Sequence, residues 1–168
     1  IDASATDMTL NTNRINVRLV YMDATQGWRA IFDDTVEDYA AAYVAATGGT
    51  ESTSGNYKIH IFNSSSNFVV SSAGSPTGSD KVSYVVVAGG GGGGKTAAGG
   101  GGAGGYREAI DAPKDSYTDS PLAVQTGFSV SAQTYPITVG GGGTTGGSGV
   151  TGTVGSNSVF ATITSAGG

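Results

Sequence analysis

The sequence predicts a mainly β protein that changes, near residue 88, into a glycine-rich domain built of polyglycine-type extended segments. Three observations carry that reading. Val and Ile total 24 against 3 Leu, and Ser plus Thr total 39, a vocabulary of strands and turns rather than of helix bundles. Short runs that alternate with a period of two recur along the first half of the chain. Of the 30 Gly, 6 precede residue 89 and 24 lie at or beyond it.

The elements follow in order. In Asn16-Val17-Arg18-Leu19-Val20-Tyr21, the residues Val17, Leu19 and Tyr21 share one face. The turn-like Asp23-Ala24-Thr25-Gln26-Gly27 then leads into residues 28–32, which predicts a hairpin and a first β module over 1–33. Asp34-Thr35-Val36-Glu37 has the spacing of a capping box, and Val36, Tyr39, Ala40, Tyr43 and Val44 recur at helical intervals. That predicts a short helix over 35–46, stopped by Gly48-Gly49, with residues 50–56 as a linker, so that 34–56 forms a helix-and-linker segment. From residue 57 onward the chain reads as one domain to residue 168. Its entry is Tyr57-Lys58-Ile59-His60-Ile61-Phe62, expected to pair with 68–71 across Asn63-Ser64-Ser65-Ser66. Val82-Ser83-Tyr84-Val85-Val86-Val87 is apolar on both faces and reads as the buried strand.

Three glycine tracts follow: Gly89, Gly90, Gly91, Gly92, Gly93 and Gly94; 99–105 with one Ala, led by Gly99, Gly100, Gly101 and Gly102; and 140–149 with interruptions, led by Gly140, Gly141, Gly142 and Gly143. Glycine tracts are ordinarily flexible linkers, because Gly loses the most entropy on ordering. Here they abut strand-like runs, at 82–87 and 135–139, and are read as structural. Residues without side chains let backbones approach and bond between extended helices of three residues per turn, about 3.1 Å per residue. With 4 Pro and no strict Gly-X-Y repeat, a collagen helix is excluded.

Composition removes several functions. The absence of Cys excludes disulfides and thiolate metal sites, and the single His60 excludes multi-His centres. A net charge of −5 argues against nucleic acid, whose binding needs clustered Lys and Arg. No apolar run approaches the ~20 residues of a membrane span, so no membrane insertion is expected. The start at Ile1 and the stop at Gly167-Gly168 read as a piece of a longer or processed polypeptide. No charge occurs in the 42 residues from Gly127 to Gly168, which suggests close backbone packing or burial in an assembly.

The motifs that look chemical mostly dissolve. Gly89-Gly90-Gly91-Gly92-Gly93-Gly94-Lys95-Thr96 satisfies the P-loop pattern, yet the helix that must begin at the Lys runs at once into Gly99-Gly100-Gly101-Gly102. Asp33, Asp34, Glu37 and Asp38 read as carboxylates of a first helical turn rather than a Ca²⁺ site. His60 reads as a packed or solvent-facing histidine, Trp28 as a core or interface anchor, and Asn63-Ser64-Ser65 as a turn rather than a glycosylation site. No nucleophile, base and carboxylate set can be assembled, so no enzyme, cofactor or metal is expected.

The polar insert at 106–126 interrupts the glycine tracts. It carries Tyr106, Arg107, Glu108, Asp111, Lys114, Asp115, Tyr117 and Asp119, stiffened by Pro113 and Pro121. A polar, aromatic, proline-stiffened loop on a glycine scaffold suits a recognition surface, and an ordinary solvated insertion is the alternative.

The run Tyr84-Val85-Val86-Val87-Ala88 with its glycines, then Gly104-Gly105-Tyr106-Arg107-Glu108, then Thr134-Tyr135-Pro136-Ile137-Thr138-Val139-Gly140, resembles the glycine-rich domain common in bacteriophage tail fibre and adhesin proteins. Separately, Leu10-Asn11-Thr12-Asn13, Val17-Arg18-Leu19-Val20-Tyr21 and Gly27-Trp28-Arg29 look like the closing part of a short β module of phage fibres. The resemblance implies a structural virion protein, an intertwined homo-oligomer and expectedly a trimer, joined to other virion proteins at the virion surface. It implies a host cell-surface receptor as partner, with the tracts packed as polyglycine helices and 106–126 as the receptor loop. The alternative reading is a bacterial extracellular filament or surface adhesin.

Overall fold

A computed structural model of the chain describes residues 16–25, 27–33, 41–96 and 98–168. It is mainly β, with antiparallel strands and no helix among the described residues. The chain divides into two units, Ile1–Ala40 and Ala41–Gly168.

The first unit holds one hairpin. β1 (Asn16–Asp23) pairs antiparallel with β2 (Gly27–Asp33), from Asn16↔Asp33 to Asp23↔Gly27, with a register shift between Tyr21 and Asp23. This is the hairpin the alternation predicts. Tyr21 and Trp28 are cross-strand partners whose rings meet edge to face, centroids 5.5 Å apart, and both are half-exposed.

The second unit begins with a correction. Residues 35–40 of the expected helix lie outside the described residues, but 41–43 are irregular and β3 (Val44–Thr47) is a strand. Helical spacing in the sequence is overridden by tertiary pairing. β3 docks on β6 (Ser66–Ala73), with Val44↔Ala73 and Ala46↔Val70, and this puts Ala46 in the core. Gly48-Gly49 reverses the chain between strands rather than ending a helix, both with φ in the left-handed region, +120° and +65°. The expected linker is also a strand. β4 (Thr50–Ser54) pairs with β5 (Tyr57–Ile61) through a two-residue turn whose first position, Gly55, has φ +56°.

β5 therefore pairs with β4 and not with 68–71 as expected. It reaches β3 by side chains instead: Lys58 Nζ donates to Ala46 O at 3.2 Å, and His60 Nδ1 lies 2.9 Å from Gly48 O. The His60 ring packs edge-on against Phe68. The predicted six-residue buried strand is two short ones, β7 (Lys81–Val82) and β8 (Tyr84–Val87). Only one face of β8 is covered, because Tyr84 and Val86 pack on the core while Val85 and Val87 stay exposed.

Five strands make the main sheet, in the order β13 (Ile163–Ser165), β12 (Ser158–Phe160), β11 (Thr134–Thr138), β6, β3. β8 pairs with β9 (Tyr106–Ala109), and β7 pairs with β10 (Phe128–Ser129). The core holds Ala46, Phe68, Val70, Val130, Tyr135 and Phe160, with Tyr84, Val86 and Phe128 packed against it. Phe160 is its hub. Its ring meets those of Phe68, Tyr84, Phe128 and Tyr135 edge to face at 6.2, 6.0, 5.1 and 6.0 Å, the favoured aromatic arrangement.

Candidate functional site

Two glycine hairpins grow out of these strands without a break in register. β8 and β9 pair from Tyr84↔Ala109 to Val87↔Tyr106. The ladder then continues: Ala88 N–H donates to Gly105 O at 3.0 Å, Gly91 to Gly102 at 2.8 Å and Gly94 to Gly99 at 3.1 Å. No residue is skipped, yet bonds now fall at every third residue instead of every second. That is the period of a three-residue extended helix. The second hairpin repeats the device. β11 and β12 pair at Ile137↔Phe160 and Thr138↔Val159, after which Ser156 N–H donates to Gly141 O at 2.8 Å and Thr153 to Thr144 at 3.0 Å.

The two hairpins interlock around residues 88–94. Ala88, Gly91 and Gly94 donate to 99–105, whereas Gly89 and Gly92 donate to Ser156 and Thr153 at 3.1 and 2.8 Å. The carbonyls of Gly90 and Gly93 accept from Gly143 and Gly146 at 2.8 and 3.0 Å. The chain end closes the array: Gly168 N–H donates to Gly89 O at 3.0 Å and Gly155 N–H to Gly168 O at 2.8 Å. Each third of the central turn faces a different neighbour.

This arrangement explains where glycine is needed. In the surrounded central segment, a methyl group on Gly89 or Gly92 would overlap the carbonyls of Gly141 or Thr144, and one on Gly91 would lie 2.7 Å from Gly168 O. The outer segments need a bare position on the inward third, at Gly101 and Gly104, Gly140, Gly143 and Gly146, Gly152 and Gly155. By contrast Gly99, Gly100 and Gly141 face open space and Gly93, Gly102 and Gly142 have room at 3.6 Å or more, while a methyl group on Gly90 would be tight, 3.3 Å from Gly102 O. The sequence reading placed Gly104 and Gly146 within the tracts without singling them out, and it missed Gly152, Gly155 and the 166–168 segment. Their signal was present in the spacing of three at Gly140, Gly143 and Gly146 and again at Gly149, Gly152 and Gly155.

The pattern of amide bonds also bears on the P-loop motif. The N–H groups of Gly89, Gly91, Gly92 and Gly94 are donated to protein carbonyls, so they do not form a phosphate cradle. Lys95 lies in an exposed turn bridged to Ser148, and Thr96 has φ +57°.

The polar insert leaves the lattice at the opposite end, beside the strands. Its first residues are β9 itself. Glu108 is buried, accepting from Tyr106 Oη at 2.9 Å and from Ser120 N–H at 3.2 Å. The Ser120 and Tyr106 hydrogen bonds hold its carboxyl below the ordinary carboxylate range. The same bond to Glu108 raises the Tyr106 phenol above its ordinary value. Asp111 is buried with Oδ1 3.5 Å from Lys81 Nζ, and its N–H donates to Ser83 Oγ at 2.9 Å. Ser83 Oγ in turn donates to Asp115 Oδ2. Lys114 Nζ donates to Pro76 O at 3.0 Å and lies 3.8 Å from Asp80. Burial raises the Tyr117 phenol, and its ring packs edge-on against Tyr57 at 6.1 Å. Asp119 Oδ2 accepts from Gln125 Nε2 at 2.6 Å.

Of the eight residues singled out in the sequence, then, Glu108, Asp111, Lys114 and Asp115 are bonded into the fold. Tyr106, Arg107 and Tyr117 are exposed, with Asp119 half-buried. Tyr57, Ser83, Ser116, Ser120 and Gln125, which organise the insert, gave no sequence signal beyond their polarity. Among the described residues, no group of three or more His, Asp or Glu side chains is placed to hold a metal ion.

The family model of the glycine-rich domain matches residues 63–168, from the β5–β6 turn to the last lattice residue. The chain belongs to the glycine-rich domain family. Strands β6 to β13, both glycine hairpins and the insert all fall inside the matched glycine-rich domain. No curated protein and no solved structure matches the chain.

Proposed function

We propose that the chain is a non-enzymatic structural protein of a phage-like particle, a fibre or adhesin at the virion surface that attaches the particle to its host. It assembles with itself, as a trimer on the resemblance of its sequence, and its other partners are virion proteins and a host cell-surface receptor. It needs no cofactor or metal, and it neither binds nucleic acid nor inserts in a membrane.

The observation that supports this reading is the interlocked lattice. Its central glycines donate and accept within the fold at 2.8–3.1 Å, so the tract is a stiff strut and not a tether. A strut with the exposed Tyr106, Arg107 and Tyr117 beside its base holds a recognition surface at a fixed orientation, as attachment requires.

The test is microscopy and competition. Antibodies raised against the chain should decorate appendages of the particle, and purified chain should block adsorption of particles to cells. Decoration of cell-borne filaments with no particle attached would overturn the virion assignment. Native mass measurement giving a single chain would remove the trimer.

A further inference from the structure

The outer face of β8 and β9 joins exposed apolar side chains to a buried carboxylate, Glu108, that has no ion-pair partner among the described residues. Cross-strand register places Val85 opposite Glu108 and Val87 opposite Tyr106, so these four share a face. Alternation puts Arg107 on the other side, where it pairs with Val86. Val85, Val87 and Tyr106 are 54%, 55% and 45% exposed, too much for residues whose neighbours Tyr84 and Val86 fill the core. Ser120 caps Glu108, and Leu122, two residues on, is 87% exposed.

Glu108 itself is 8% exposed, and its bonds are to a phenol and an amide, with no ion pair among the described residues. Tyr106 donates a hydrogen bond from its hydroxyl to that carboxylate, which makes the ring more electron-rich, and the residue is 45% exposed. Asp119 stands close enough to Glu108 to oppose its ionisation, a second negative charge in its neighbourhood. The insert over 106–126 carries the acids Glu108, Asp111, Asp115 and Asp119 against the bases Arg107 and Lys114. A cation over the Tyr106 ring, flanked by apolar groups on the valines, satisfies every part of this face.

We propose that the β8–β9 face bearing Val85, Val87 and Tyr106, backed by Glu108, docks a protein segment that presents an arginine or lysine between apolar side chains. The identity of that segment as part of the host receptor rests on the attachment reading above; the chemistry of the face does not. Apolar exposure on both valines and Leu122 favours a polypeptide over a glycan, whose hydroxyls would leave these methyl groups without partners.

The experiment uses the full chain with labelled valine and leucine methyls and the probe peptide acetyl-Val-Arg-Val-Leu-amide. Saturable shifts are expected at Val85, Val87 and Leu122. Replacing arginine by uncharged citrulline in the probe should weaken binding at least tenfold. Glu108→Gln, which keeps an oxygen for Tyr106 and Ser120, should do the same. Val87→Lys, a change at an exposed position, should abolish the shifts with the rest of the spectrum unmoved. Equal affinity for the citrulline peptide, shifts elsewhere on the protein, or shifts of these methyls by a neutral oligosaccharide and none by the peptide would each overturn the proposal. Peptide binding combined with normal cell adsorption by the Glu108→Gln chain would uphold this docking face and refute its role in attachment. No peptide binding together with undiminished adsorption competition would refute the face and leave attachment standing.

Discussion

Gly101 packs its α-carbon against the carbonyl oxygen of Gly91, so closely that a single added carbon on Gly101 would overlap that oxygen. Gly100, its neighbour in sequence, faces open space, with φ outside the left-handed region. Replacing Gly101 by Ala should therefore cost about 1–3 kcal/mol, the range of an overpacked core. Gly100→Ala should instead stabilise by about 0.4–1 kcal/mol, because it restricts only the unfolded chain. Urea melts of the two variants check this, and equal effects would mean that backbone packing is not what the glycines serve.

Phe160 links four aromatic rings and joins the sheet to β8 and β10. Its replacement by Ala should destabilise by about 3–5 kcal/mol, as large-to-small aromatic changes in cores do. Denaturant melting gives the magnitude. Loss of near-ultraviolet circular dichroism in the native state should accompany it, since the surviving rings lose their common partner.

Lys81 is the cation nearest the buried Asp111, whose Oδ2 has no hydrogen-bond partner. Lys81→Ala should cost about 1–3 kcal/mol by leaving that carboxylate in place without its counter-charge. Lys81→Ala combined with Asp111→Asn should recover part of the loss. Stability of the single and double variants at neutral pH, measured by urea unfolding, decides it.

The Tyr106–Glu108 bond makes two pH-dependent contributions of opposite sense. Glu108 has its folded pKa lowered, so its contribution is present above the ordinary carboxylate value and is lost as pH falls through the folded one. Tyr106 has its folded pKa raised, so its contribution is present below the ordinary phenol value and is lost as pH rises through the folded one. Glu108→Gln should flatten the acid limb of stability and bring one tyrosine back toward an ordinary titration by ultraviolet absorbance. An unchanged tyrosine titration in that variant would show that the bond does not form in solution.

Some of this was legible in the sequence, for reasons that residues make plain. The β1–β2 hairpin and β11 were readable because alternation and flanking turns agree with the fold. Val44 and Ala46 were not. Val44 falls at a helical interval with Val36 and Ala40, yet it also shares one strand face with Ala46 two residues on, and the choice is made by the edge of β6, 20 or more residues away in sequence. The glycine tracts were readable as scaffold, but which glycines matter was not, since Gly100 and Gly101 look alike until a neighbour's carbonyl is in place. Charge in the insert gave no sign that Asp111 and Asp115 turn inward, because Ser83 is 28 and 32 residues away.

The unbroken pairing from strand into glycine hairpin makes the domain a ruler graduated in triplets. Adding three residues to each arm would lengthen a hairpin by about 9 Å and return every bare position to its inward station. Adding one residue to a single arm would turn everything beyond it by a third of a revolution and drive side chains such as those of Thr144 or Val154 into the centre. Growth of this structure is therefore quantised, and the count that preserves it is written in the distance from one inward-facing glycine to the next.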